Sequence, residues 1–204
     1  GLISALNPAQ AHPVIFSGGT AITYTTDAHT TDFVAGYSFT HRFSLNYRYV
    51  DIRPIKSERG EPVHFLQANA LLKRWNFPDS QGNVYVGAAV GDRGHSLYRF
   101  DIDWEDRRYY IAAAHEQTYR DTDNSVSAGG DEAWDMSKFR LGYAPYVAES
   151  GQLHTWFMLQ YSRNSLAPKV DSITPLMRIF YQNVLFEIGS SFRGDAYLTL
   201  MTHL

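Results

Sequence analysis

Arg99, Asp101, Asp103 and Glu105 stand at alternate positions of one stretch, Tyr98–Ala114, in a chain of 204 residues. On an extended strand every second side chain leaves the same face, so these groups recur about 7 Å apart. A row of three carboxylates beside a guanidinium attracts cations where it is wet. It also suits a salt-bridged strand face tied down by Arg99 and Arg108. The interleaved residues, Tyr98, Phe100, Ile102 and Trp104, are apolar without exception. After a tight reversal around Asp106, a second strand returns through Tyr109, Ile111 and Ala113. An unbroken apolar and aromatic face of this length predicts the lipid-facing wall of a transmembrane β-barrel.

Other chemistry is sparse. His115-Glu116 offers a general base with an adjacent acid, but no nucleophile lies near it in sequence. Lipase-type patterns such as His-x-Ser-Asn-Gly and Gly-x-Ser-x-Gly do not occur. The eight histidines, His12, His29, His41, His64, His95, His115, His154 and His203, are scattered and form neither a His-x-His nor an HExxH pair. Cysteine is absent, which removes disulfides, thiol nucleophiles and thiolate metal sites. No glycine-rich phosphate loop exists, and Gly18-Gly19 suits a bend at the start of a strand. No catalytic residue, metal or cofactor is expected.

The elements that would position the charges are strands throughout. Strand one covers about residues 15–26, and TDFVAGYSFT and FSLNYRYVDI form the next two. Later strands start near Val63, Asn83, Tyr98, Tyr109, Ser137, Leu153, Ser172, Val184 and Asp195. Pro175 is awkward in a fully paired strand. The count is about twelve, even as expected when both ends of the chain meet on one side, and short turns tend to alternate with long polar loops. The fold class is therefore all-β, a closed antiparallel up-and-down transmembrane barrel of about twelve strands over residues 14–204. Residues 1–13 are a tail or an export remnant, because GLISALNPAQA ends in an Ala-Gln-Ala like a cleavage site.

Composition agrees with strands rather than spanning helices. Mean hydropathy is −0.32 and no run of about 18 apolar residues occurs. Aromatics make up 15%, which suits strands with interfacial girdles. A net charge of −3 gives no footprint for nucleic acid. Arginine outnumbers lysine 14 to 4, which favours organised ion pairs over a generic solubilising surface. If the aromatic faces meet lipid, the lumen receives Arg42, Arg48, Lys73, Arg99, Asp101, Asp103, Glu105, Arg108, Glu116, Lys138, Arg140, Arg178 and Glu187. A soluble lipocalin-like barrel or sandwich would reverse the faces, but twelve strands exceed what side chains fill, and nearly all Tyr and Phe would have to go inside.

The strand pattern, the loop alternation and the arginine-rich inner face resemble the small monomeric twelve-stranded outer-membrane channels, which include channels for acidic oligosaccharides. The last strand, with Leu198 and Leu200 before Leu204, resembles the assembly signal of outer-membrane barrels, although that family usually ends in an aromatic residue. The resemblance implies a bacterial outer-membrane location, membrane lipid as a partner, and a narrow polar path for small hydrophilic solutes or ions. The mixed charges depart from the plainly basic lumen of an anion-selective member. HPVIFSGG, KRWNF, DWEDRR and APYVAESGQLHTW are also similar to segments of uncharacterised exported proteins that accompany heavy-metal efflux systems. Three roles stand open: a channel, a structural or docking barrel among other envelope proteins with a plugged, salt-bridged lumen, and a barrel enzyme.

Overall fold

The structure is a computed structural model that describes residues 12–53, 62–121, 132–149, 151–165 and 171–204. Twelve strands close on themselves: β1 Thr20–Thr26, β2 Thr30–Thr40, β3 Phe43–Ile52, β4 Val63–Asn76, β5 Ser80–Gly91, β6 His95–Asp106, β7 Tyr109–Arg120, β8 Glu132–Tyr143, β9 His154–Asn164, β10 Ser172–Tyr181, β11 Val184–Ser190 and β12 Ala196–His203. Each is antiparallel to its sequence neighbours, and β1 pairs with β12 from Ala21↔His203 to Thr26↔Leu198. Closure leaves no open edge, so every ladder in the wall is paired. Among the described residues no helix is long and apolar enough to cross a membrane.

The alternation in sequence becomes inside and outside. On β6, Phe100 and Ile102 are 45% and 42% exposed, whereas Asp103 and Glu105, which follow on the other face, are 8% and 4% exposed. Tyr47, Leu66, Tyr98, Ile111, Leu141, Phe157 and Leu200 continue the exposed apolar belt around the barrel. The buried set is mostly polar: Arg48, Gln67, Asn69, Asn83, Glu116, Gln160, Thr174, Arg178, Glu187 and Thr199. That distribution is the inverse of a soluble barrel.

Two ends can be distinguished. The near end carries Thr20 and Leu204, whose backbones hydrogen-bond to each other, and turns of two or three residues after β2, β4, β6 and β10. In one of these, Asp106 Oδ1 accepts the amides of Arg108 and Tyr109, which fixes the reversal. The far end carries the long connections after β3 and β7, most of which lie outside the described residues.

Pro175 is accommodated by register. The β10–β11 ladder begins only at Leu176↔Gly189, so Pro175 opposes Leu159 of β9 and lies beyond the β11 pairing. The first strand is shorter than expected, starting at Thr20 rather than near Ile15. Residues 16–19 form a reversal and residues 12–15 turn into the barrel instead. The expected tail, residues 1–13, lies outside the described residues except for His12 and Pro13.

Candidate functional site

The polar lumen is organised as three networks, each spanning several strands. In the first, Arg48 of β3 is fully engaged. Its Nε and Nη2 donate to Asp32 of β2 at 2.8–3.1 Å, and its Nη1 and Nη2 reach Glu116 of β7 at 2.7 and 3.2 Å. Since β3 and β7 are four strands apart, this pair braces the barrel across its interior. Arg99 joins from β6, donating twice to Asp101 at 2.7 Å and lying 3.6 Å from Glu116.

The second network centres on Glu187 of β11. Its carboxylate accepts from Arg178 of β10 at 2.6 Å and from Arg140 of β8 at 3.2 Å. Arg140 also donates to Gln160 and to the Tyr197 hydroxyl, and Arg178 lies over the Tyr110 ring. In the third, Asn83 of β5 donates to Asp103 and accepts from Arg74 and Gln81. Glu105, the last member of the acidic ladder, has a buried Oε1 without a hydrogen-bond partner among the described residues. The ladder is thus three carboxylates with three different environments rather than one cation site.

Between the networks lies a cavity of about 210 Å³, lined among others by Asp32, Arg48, Arg99, Lys138, Arg140 and Glu187. A second cavity of about 50 Å³ lies toward the far end, and Lys138 and Tyr197 line both. Lys138 makes no ion pair among the described residues. At the far end Val63, Phe65, Ala89 and Leu97 fill part of the interior, and at the near end Trp156, Met158 and Ala144 do the same beside Tyr110. His12, Pro13 and Ile15 form the near-end floor of the larger cavity.

No family model matches the sequence, and no curated protein matches it. Two solved structures do align, one titled "KdgM porin in complex with disordered oligogalacturonate" and the other "KdgM porin". Their TM-scores are 0.52 and 0.51, each at 10% identity, covering 91% of this chain and 97% of theirs. The fold is similar to that of a small porin. In this porin-like barrel the likeness extends over the wall as a whole.

The structure places Arg48, Arg99, Asp101, Asp103, Glu105, Glu116, Lys138, Arg140, Arg178 and Glu187 on the inner face. Tyr98, Phe100, Ile102 and Trp104 stand on the outer face. Three expected lumen residues are elsewhere. Arg42 sits exposed in the turn between β2 and β3. Arg108 sits in the β6–β7 turn, where its guanidinium donates to the Ala144 and Pro145 carbonyls and lies over Tyr143. Lys73 follows a β-bulge: Leu71 opposes Tyr85 and Lys73 opposes Val84, so Leu72 is an extra residue. The bulge reverses the phase, leaving Lys73 exposed near the Trp75 ring and sending Arg74 inward to Asn83.

Several lumen residues have no sharp sequence signal. Asp32, Gln67, Asn83, Gln160, Tyr110 and Tyr197 complete the networks, yet a lone Gln or Tyr on a strand does not announce its partner. On the outer face, His115 Nδ1 lies 2.9 Å from Ser137 Oγ, a hydroxyl that sequence spacing hides because the two are cross-strand neighbours. No carboxylate is hydrogen-bonded to that imidazole among the described residues, so the pair lacks the orienting third member of a nucleophilic triad.

Proposed function

We propose that the protein is an outer-membrane β-barrel that forms a narrow polar channel for small hydrophilic solutes or ions. The observation that carries this reading is the inversion of faces: an exposed apolar belt encloses an ion-paired interior that retains a cavity of about 210 Å³. A core serving stability alone needs no hydrated space among charges, because apolar packing is at least as stabilising. Four of the five near-end connections, those after β2, β4, β6 and β10, are turns of two or three residues, as on the periplasmic side of bacterial barrels, while the one after β8 runs from Ala144 to Leu153.

A solved barrel of similar fold is titled as a complex with oligogalacturonate, an acidic sugar polymer. Here most lumen guanidinium groups are neutralised by carboxylates, so strong anion selection is not expected from them. Lys138 differs. As a lumen cation without an ion pair among the described residues, lining both cavities, it supplies a weak preference for anions. Purified protein in a planar bilayer should give small unitary currents, and Lys138→Gln should shift the reversal potential toward cations by a few millivolts. Absence of any current from folded protein, wild type or variant, defeats the channel reading.

A second reading rests on the Arg48–Glu116 brace and the near-end floor, which together narrow the lumen. A barrel so filled also suits a structural or docking role with other envelope proteins. Among the described residues no group of three or more His, Asp or Glu side chains is arranged to hold a metal ion. A role beside a heavy-metal efflux system would therefore be docking through the loops or the outer belt. The enzymatic reading rests, among the described residues, on the His115–Ser137 pair.

A further inference from the structure

Residues 12–19 belong to no strand of the wall, and their contacts are of a different kind. Below β1 the chain reverses: Gly18 has φ +82°, donates its amide to the Ser38 carbonyl at 2.7 Å, and Gly19 accepts from the Ser38 amide at 2.9 Å. The segment then enters the lumen. The Ile15 amide donates to Ser38 Oγ at 3.0 Å, and Ser44 Oγ donates to the Pro13 carbonyl at 2.6 Å. Val14, 2% exposed, is clustered with Leu71 of β4 and Tyr85 of β5. His12 lies over the Tyr85 ring, 5.4 Å between centroids, with Nδ1 3.4 Å from Asp103 of β6. Four consecutive residues thus cross the near-end interior past β2, β3, β4, β5 and β6.

The attachment is light for a buried segment. A wall residue is held through backbone ladders to strands on both sides, as in Asn69, which opposes Ser44 and Gly87. Residues 12–15 are tied through two serine hydroxyls, one apolar side chain and one imidazole that meets Tyr85 and Asp103. Serine hydroxyls exchange a backbone partner for water at small cost. The berth itself is built by the wall. Ser38, Ser44, Leu71 and Tyr85 hold their places through strand pairing whether or not the segment is present. Pro13 and Ile15 meanwhile line the larger cavity on its near side.

We propose that residues 12–15 act as an intramolecular plug carried on the reversal at 16–19, and that withdrawal of Val14 from the Leu71–Tyr85 berth opens the larger cavity to the near side. The inference rests on the channel reading for its purpose, and the test separates the two. Full-length protein is reconstituted in three forms: wild type, Val14→Asp, and the pair Val14→Cys with Leu71→Cys, whose thiols are joined by oxidation or a short bifunctional reagent. Native cysteine is absent, so the link is unique. Ser38→Ala with Ser44→Ala is a fourth form that removes both tethers without placing a charge in the berth. Folding of each is checked by the gel migration of unheated samples.

A reporter cysteine, Thr23→Cys in the cavity wall, is placed in the wild-type, Val14→Asp and Ser38→Ala/Ser44→Ala backgrounds and labelled with a water-soluble thiol reagent from the near side. Val14→Asp and the serine double variant should label at least threefold faster than wild type and stay open longer in bilayers. The linked pair should conduct at no more than a tenth of its reduced form, with recovery on reduction. Equal labelling rates and equal currents in all forms overturn the plug and leave the channel standing. Faster labelling without current in any form supports the plug and overturns the channel.

Discussion

Glu187 accepts from two guanidinium groups while itself only 1% exposed, and the charge balance of that part of the lumen depends on it. Removing one member of such a group leaves the others uncompensated, which costs roughly 3–5 kcal/mol where the site is dry. Glu187→Gln keeps the shape and one acceptor, yet leaves Arg140 and Arg178 facing each other. It should lower the urea midpoint of the vesicle-inserted protein, followed by tryptophan fluorescence, and shift any current toward anions. An unchanged midpoint would mean that water in the lumen already screens the pair. Glu187 was legible in sequence because it is the sole charge on the strand VLFEIGS. Asp32 was not. It lies in TDFVAGYSFT with no charged partner nearby in sequence, and its role appears only when β3 brings Arg48 alongside.

At the scale of the strand, period 2 reads correctly until the ladder itself breaks step. β6 keeps it over its whole length, so Arg99, Asp101, Asp103 and Glu105 share one face. β4 loses it at Leu72, and the residue after the bulge lands on the opposite side from simple alternation. Nothing in NALLKRWN marks the extra residue, since Leu71 and Leu72 are identical and only the pairing with β5 chooses between them. The consequence is testable with single cysteines. A bulky charged thiol reagent on Arg74→Cys should lower the current, and on Lys73→Cys should leave it unchanged. On β6 the same reagent should act at Arg99→Cys and not at Phe100→Cys. Current loss at Lys73→Cys with none at Arg74→Cys would restore the unbulged register. Deleting Leu72 should preserve both orientations, because it removes the one residue that β5 does not match.

The whole barrel was legible in outline because its two faces differ in character, apolar outside and mostly polar inside, and a sequence records that contrast at every second residue. The content of the lumen was not. Filling by Phe65, Leu97, Trp156 and the segment from His12 depends on which inner side chains meet across the barrel, a relation with no local pattern. The outer belt makes the strongest whole-molecule prediction. A charge on the lipid face costs about 2–4 kcal/mol for Arg at the midplane and falls toward zero near the interfaces. Phe100 lies at the middle of β6, whereas Trp104 lies near its end, yet both are exposed. Surface substitutions on a water-soluble protein would cost little and show no gradient with height. Phe100→Arg should therefore reduce folding into vesicles by the full amount, Ile102→Arg by somewhat less, and Trp104→Arg by well under half. The measurement is reversible folding into thin-chain vesicles across a urea series, with heated and unheated gel migration as the folding readout. Three equal costs, together with monodisperse protein free of detergent, would place water rather than lipid against the belt and turn the barrel inside out.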